Sequence, residues 1–164
     1  MSKKSIPGYW ILTFFLAFFV LISYGRFGGD GLETYLTAES IILDGDFSIY
    51  DRPFEVNEMR YTERGRKAVD GKSYSSYGLG PALPLVPFCY IGYLVSNFFS
   101  DIPAGYVMQF AASFFNPAVL AFLSLALFSL LRRFGYEPKT AFITVIIYSA
   151  CTMNVVYARS GFSE

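Results

Sequence analysis

The sequence has no histidine, which removes imidazole general bases, Ser-His-Asp triads and histidine-ligated zinc together. Acid–base chemistry then has to come from carboxylates, lysine or tyrosine. There are only two cysteines, Cys89 and Cys151, and both sit inside apolar runs in separate segments. There a thiol acts as a small hydrophobe, not as half of a disulfide framework, so redox compartment stays open. Charge is scarce as well. Asp, Glu, Lys and Arg make up 16% of the chain, against about 25% in an average soluble domain. Net charge is zero, so no basic excess exists to neutralise phosphates and no nucleic-acid partner is expected.

What is abundant is apolar surface: 54% hydrophobic and 20% aromatic residues, with a mean hydropathy of +0.40. A bilayer is the natural solvent for that composition. The few charges are also segregated, because ten of the thirteen acids and seven of the thirteen bases lie between Arg26 and Gly78. Long charge-free segments therefore flank one charged loop.

Ser5 to Gly25 carries no charge, follows Lys3 and Lys4, and has Tyr9 and Trp10 near its start, the pattern of a helix anchored at the cytoplasmic interface. A cleaved signal peptide competes with this reading, but the run is long and rich in bulky Phe. Three more uncharged stretches follow, Leu79 to Ser100, Ile102 to Leu131 and Thr140 to Ala158. If all three crossed, the turn with Arg132, Arg133 and Lys139 would lie outside, against the bias of short basic loops toward the cytoplasm. Leu79 to Ser100 is the stretch expected not to cross, because Pro81, Pro84 and Pro87 interrupt its start and Gly80 and Gly92 weaken it.

The expected fold is therefore all-α and integral to the membrane, one multi-pass module over 1–164 with spans at about 8–25, 104–131 and 140–157. A cytoplasmic N-terminus leaves an external loop at about 26–103, carrying interfacial helices at about 31–44 and 81–99. For the first of these helices, Leu32, Tyr35, Leu36, Ile42 and Leu43 recur at helical spacing, with Asp30, Glu33, Thr37, Ser40 and Asp44 on another face and Gly45 as the stop. Asp51 to Asp70 shows no period and reads as surface chain. Lys72 to Gly80, KSYSSYGLG, reads as a loop suited to a polar ligand. The chain ends at Glu164 just past a span, which predicts a fragment of a longer protein, inactive alone.

Asp30 follows the first span closely, so its carboxylate should lie near the water boundary, where it suits a general base. Asp30 followed by Glu33 also has the spacing of a helix capping box. Arg159 and Glu164 lie just beyond the third span: the guanidinium could grip a phosphate and the carboxylate could serve a metal or an acceptor, although Arg at such a place is also an interfacial anchor. Tyr74 and Tyr77 could stack on a sugar ring. Asn116 beside Pro117 reads as a polar kink in the second span.

The order of motifs GGDGLETYLTAESIILDGDF, YSSYGLGPALPLVPFCYIGYL, LRRFGYEPKTAF and YARSGFSE resembles the N-terminal module of polytopic GT-C type glycosyltransferases. That group includes protein O-mannosyltransferases, aminoarabinose transferases and oligosaccharyltransferase subunits. The resemblance implies an essential acid early in the first external loop, falling on Asp30, and a second acidic motif after the third span, falling on Glu164. Glu33 is the other acid near the first. Two departures stand out: Gly31 and Leu32 separate Asp30 from Glu33 where the mannosyltransferases have adjacent acids, and only one acid of the second motif is present.

The implied activity is transfer of a sugar from a polyprenyl-phosphate donor to a protein, lipid or glycan acceptor on the external face of a plasma or inner membrane. Asp30 would be the base. The departing lipid phosphate would be neutralised by Arg159, by Arg26, or by a divalent metal, Mg or Mn, held by Asp30 and Glu164. Two other classes stand beside this one, a transporter or flippase of lipid-linked sugars and a non-catalytic assembly subunit. Transporters place ionisable groups near mid-bilayer, and the spans here hold none.

Overall fold

In the computed structural model, residues 7–49, 65–99 and 101–160 are described. Lys3, Lys4, Glu164 and most of the stretch from Asp51 to Asp70 lie outside them. The described chain is mostly helical and divides into two compact units, Met1–Tyr24 with Ser113–Gly161, and Gly25–Ala112 with Phe162–Glu164.

The first unit is a helical bundle. α1 (Gly8–Ile22) starts after Pro7 and ends where Ser23 turns extended, and it buries Ile11, Phe15 and Phe19, a stripe of period four. It stops short of the expected 25 at the extended Ser23, and Gly25 beyond it takes a φ of 70°. α5 (Phe115–Arg133) has Pro117 in its first turn, where the missing N–H has no helical partner to lose, and a turn at Ser113 and Phe114, four and three residues before the proline, interrupts the helical run there. α6 (Pro138–Cys151) buries Ala141, Val145 and Ser149.

The expected single helix at 140–157 is broken. Thr152 is extended at φ −121°, its hydroxyl bonds back to Tyr148 O at 2.6 Å, and α7 (Asn154–Ser160) restarts two residues later.

Contacts along the bundle fix its order. Ser124 and Ser149 meet at 3.0 Å, and Asn116 Nδ2 donates to Tyr157 O at 3.2 Å, so α5 runs antiparallel to α6 and α7. Phe142 packs on Phe14 and Phe15 at one level and Arg159 meets Tyr24 at another, so α1 runs parallel to α6 and α7. The turn with Arg132, Arg133 and Lys139 is thus at the opposite end of the bundle from Tyr24 and Arg159.

The bundle is apolar outside as well as inside. Trp10, Leu21, Phe122 and Ile147 are 60%, 84%, 60% and 56% exposed, whereas Ser124, Ser149, Ala121 and Ala141 are buried between helices. Helices hydrophobic all round, joined through small and hydroxylated residues, follow the packing rule of lipid-embedded helices. The 30-residue stretch Ala104–Arg133 is the one helix among the described residues long and apolar enough to cross a membrane. Gly8–Ile22 and Pro138–Cys151 are apolar but shorter, as is Leu83–Ser96.

The second unit begins with α2 (Gly29–Leu43) and closes with α3 (Val86–Ser96), entered through a 3-10 turn at Leu83–Leu85, and α4 (Ala104–Ala112). Between them lies a hairpin of β1 (Arg66–Lys67) and β2 (Ser73–Tyr74), antiparallel with Arg66 opposite Tyr74, inside a region expected to be irregular. α2 ends as its spacing predicts, with Gly45 at φ 66° just past the last turn.

Its faces differ from the expectation of a helix lying on a surface. Thr37, Glu39 and Ser40 are 1%, 2% and 6% exposed, so the middle of the polar face is packed inside the unit while Asp30 and Asp44 at its ends stay exposed. Local bonds make that burial tolerable: Thr37 donates to Glu33 O at 2.9 Å and Ser40 to Asp44 Oδ2 at 3.3 Å. α3 and α4 form a tight pair in which Gly92 faces the backbone of Met108.

Candidate functional site

Asp30 lies in the first turn of α2 and is exposed. The capping-box expectation is corrected here. The cap position belongs to Gly28, extended at φ −138°, and no side chain caps the helix. Asp30 is therefore two positions past the cap and does not bond the free N–H groups as one. Its carboxylate instead complements the positive end of the helix dipole.

Glu33, one turn on, does reach a backbone donor. That donor is in another segment: Ser76 N–H bonds to Glu33 Oε2 at 3.0 Å, across 43 positions of sequence. Glu33 thus ties the SSYG loop to the start of α2. Next along this loop, the Ser75 hydroxyl accepts Tyr77 N–H at 3.2 Å and Gly78 turns the chain at φ 70°. The Tyr77 side of the loop is left 45% exposed.

Tyr74 behaves differently from Tyr77. Its hydroxyl donates to Asp70 Oδ2 at 2.7 Å within the hairpin, a bond that pulls the Asp70 carboxyl below its usual range and pushes the Tyr74 phenol up. Tyr74 is therefore a hairpin fastener.

Asp46, beside it, is held down to about 2 by its hydrogen bond from the Lys72 ammonium first and by Phe47 N–H second. Lys72 is raised by the same partner. This pair lines a cavity of about 300 Å³ together with Glu39, Ser40, Asp44 and Ser48. Glu39 is the buried carboxylate there, with the Tyr35 hydroxyl 2.9 Å from its Oε1 and equally 2.9 Å from Gly105 O. No sequence signal singled out Glu39, although Tyr35 and Glu39 at i, i+4 on one helix could have.

Arg159 ends α7 in the first unit. Its guanidinium stands 4.7 Å above the Tyr24 ring and donates to the Tyr24 hydroxyl, while its own carbonyl accepts Tyr24 N–H at 3.3 Å. Tyr24 was not foreseen. The signal for it was its place at the end of the first apolar run, where amphipathic rings collect.

Asp30, Arg26, Glu33, Tyr74 and Tyr77 belong to the second unit and Arg159 to the first. Glu164 lies outside the described residues. Among the described residues no group of three carboxylates or thiols could hold a metal ion. Compared with known proteins, the chain matches no protein-family model, no curated protein and no solved structure.

Proposed function

We propose that this chain is a multi-pass membrane glycosyltransferase module that moves a sugar from a polyprenyl-phosphate donor to an acceptor on the external face, with its N-terminus cytoplasmic. The observation that carries the reading is the junction of Arg159 with Tyr24 at the bundle end opposite Arg132 and Arg133. A cation stands where the chain leaves the bundle after α1. The apolar exterior supports the membrane part of the reading, because such a surface in water would be an aggregation site. Helices shorter than the hydrocarbon core are accommodated by local thinning and by interfacial aromatics such as Tyr9 and Trp10.

The chemistry is a single displacement. The acceptor hydroxyl oxygen forms a bond to the anomeric carbon as the bond from that carbon to the lipid phosphate oxygen breaks, with inversion. The acceptor proton passes to the Asp30 carboxylate, and the electron pair leaves on the phosphate. Arg159 retains guanidinium donors beyond its bond to Tyr24 and supplies charge for that phosphate.

The bundle interior contains Ser124, Ser149 and Asn154 as its buried polar side chains among the described residues, and no ionisable one. This disfavours transport, which uses such groups in mid-membrane.

The test is transfer of labelled sugar from a polyprenyl-phosphate donor by the natural full-length protein in membranes, compared with Asp30→Asn. A general base contributes about 10²- to 10⁴-fold, so the variant should lose that much kcat. Undiminished transfer by D30N would remove Asp30 as base. No transfer by wild type to protein, lipid or glycan acceptors would favour a non-catalytic role.

A further inference from the structure

Glu33 is one helical turn from Asp30, so the two carboxylates share a face of α2. The structure gives them different work. Glu33 Oε2 is engaged by the Ser76 N–H at 3.0 Å, a charge-assisted bond between segments far apart in sequence, whereas Asp30 stands exposed at the helix start.

The segment so tethered is short and anchored on both sides. Ile49 N–H bonds to Ser73 O at 2.8 Å, Ser73 is buried, and the Ala82 to Leu85 turn that follows is packed with Ala82 at 0% and Leu85 at 3% exposure. Between these anchors lies Ser75 to Gly80, and the Glu33 bond falls inside that stretch.

We propose that Glu33 is a positioning residue: it holds the Ser75–Tyr77 loop against the first turns of α2, so that Tyr77 and Asp30 face one sugar-bearing substrate. This rests on the reading of Asp30 as general base. An aromatic ring and a carboxylate brought to one substrate would suit a pyranose, whose C–H face stacks on the ring while its hydroxyls donate to the acid. One oxygen of Glu33 is taken by a backbone donor, which orients this carboxylate to the loop. A role as second catalytic acid would need it directed to the reacting atoms.

Two readouts on the full-length protein in membranes test this. Amide exchange at Ser76 should quicken roughly tenfold in Glu33→Ala, the factor typical of losing a hydrogen bond to a charged group, and should return most of the way in Glu33→Gln, whose amide oxygen still accepts. In the transfer assay E33A should raise the KM for sugar donor or acceptor about tenfold and leave kcat within about threefold, with E33Q recovering most of the KM.

Equal kcat losses in E33Q and E33A would overturn the proposal, since they would mean that the charge itself takes part in chemistry. Unaltered Ser76 exchange in E33A would overturn the tether even with transfer intact. Absence of any transfer by wild type is a separate result: it overturns the glycosyltransferase reading and the sugar substrate with it.

Discussion

Gly92 offers the sharpest test of how the second unit is built. A Cβ placed there would lie 2.6 Å from Met108 Cα, 2.9 Å from Ala111 Cβ and 3.0 Å from Val107 O. Carbon atoms in contact sit about 3.5–4.0 Å apart, so Gly92→Ala needs roughly 1 Å of extra separation between α3 and α4. Two of the three obstacles are backbone and cannot rotate aside. Overpacking of this kind costs about 1–3 kcal/mol, while alanine in a helix returns up to about 1 kcal/mol of propensity. The net expectation is a loss of about 1–2 kcal/mol. Thermal unfolding in mild detergent, followed by helical circular dichroism, should show it as a Tm lower by several degrees. Ala111→Gly in the G92A background should recover only part of the loss, because it clears the Cβ contact and leaves the Met108 backbone in place. An unchanged or raised Tm for G92A would refute the close approach of these helices.

The remaining expectations are shorter. Ser124 already donates to Leu120 O at 2.8 Å, so in the Ser124–Ser149 pair Ser149 is the donor, and a double-mutant cycle to alanine should give a coupling of about 0.5–1.5 kcal/mol. Tyr24→Leu removes both ring and hydroxyl beneath Arg159 and should raise the KM for donor roughly two- to five-fold, with Tyr24→Phe retaining the ring share. The depressed Asp46 carboxyl contributes stability above its unfolded value near 3.9, and that contribution fades as pH falls toward about 2. Lys72→Ala should move the Asp46 titration, followed by carboxyl NMR, back up toward 4. A titration unmoved by K72A would break the assigned cause.

Helix positions were legible in the sequence because apolar runs and proline placement are local signals. The break at Thr152 was not, since it falls within a run that is apolar throughout and carries no glycine or proline to mark it. α2 was legible in its extent but not in its faces: spacing identifies which residues share a side, whereas burial of Thr37, Glu39 and Ser40 depends on the hairpin and on α3 and α4, which arrive from later in the chain. For the candidate site the same division holds. Asp30 and Arg159 were visible by their places next to apolar runs. The tie from Glu33 to Ser76 was invisible because nothing in either segment reports the other, and the spacing of Asp30 and Glu33 offered a persuasive local alternative that the Gly28 cap displaces.

The order of the bundle bears on the membrane orientation proposed above. α1 and α7 end together at Tyr24 and Arg159, and α5 delivers Arg132 and Arg133 to the other end. In a membrane, then, Arg159 and the basic turn stand on opposite faces whichever way α1 enters. Under the proposed reading, the bias of short basic loops toward the cytoplasm would put that turn inside and Arg159 outside, independently of Lys3 and Lys4. Single cysteines at Arg133 and Ser160, in a background lacking Cys89 and Cys151, check both parts of this argument. An impermeant thiol reagent should label position 160 and spare 133. Labelling of both would mean that the bundle does not separate two compartments, and labelling of 133 alone would reverse the orientation and remove Arg159 from any external site.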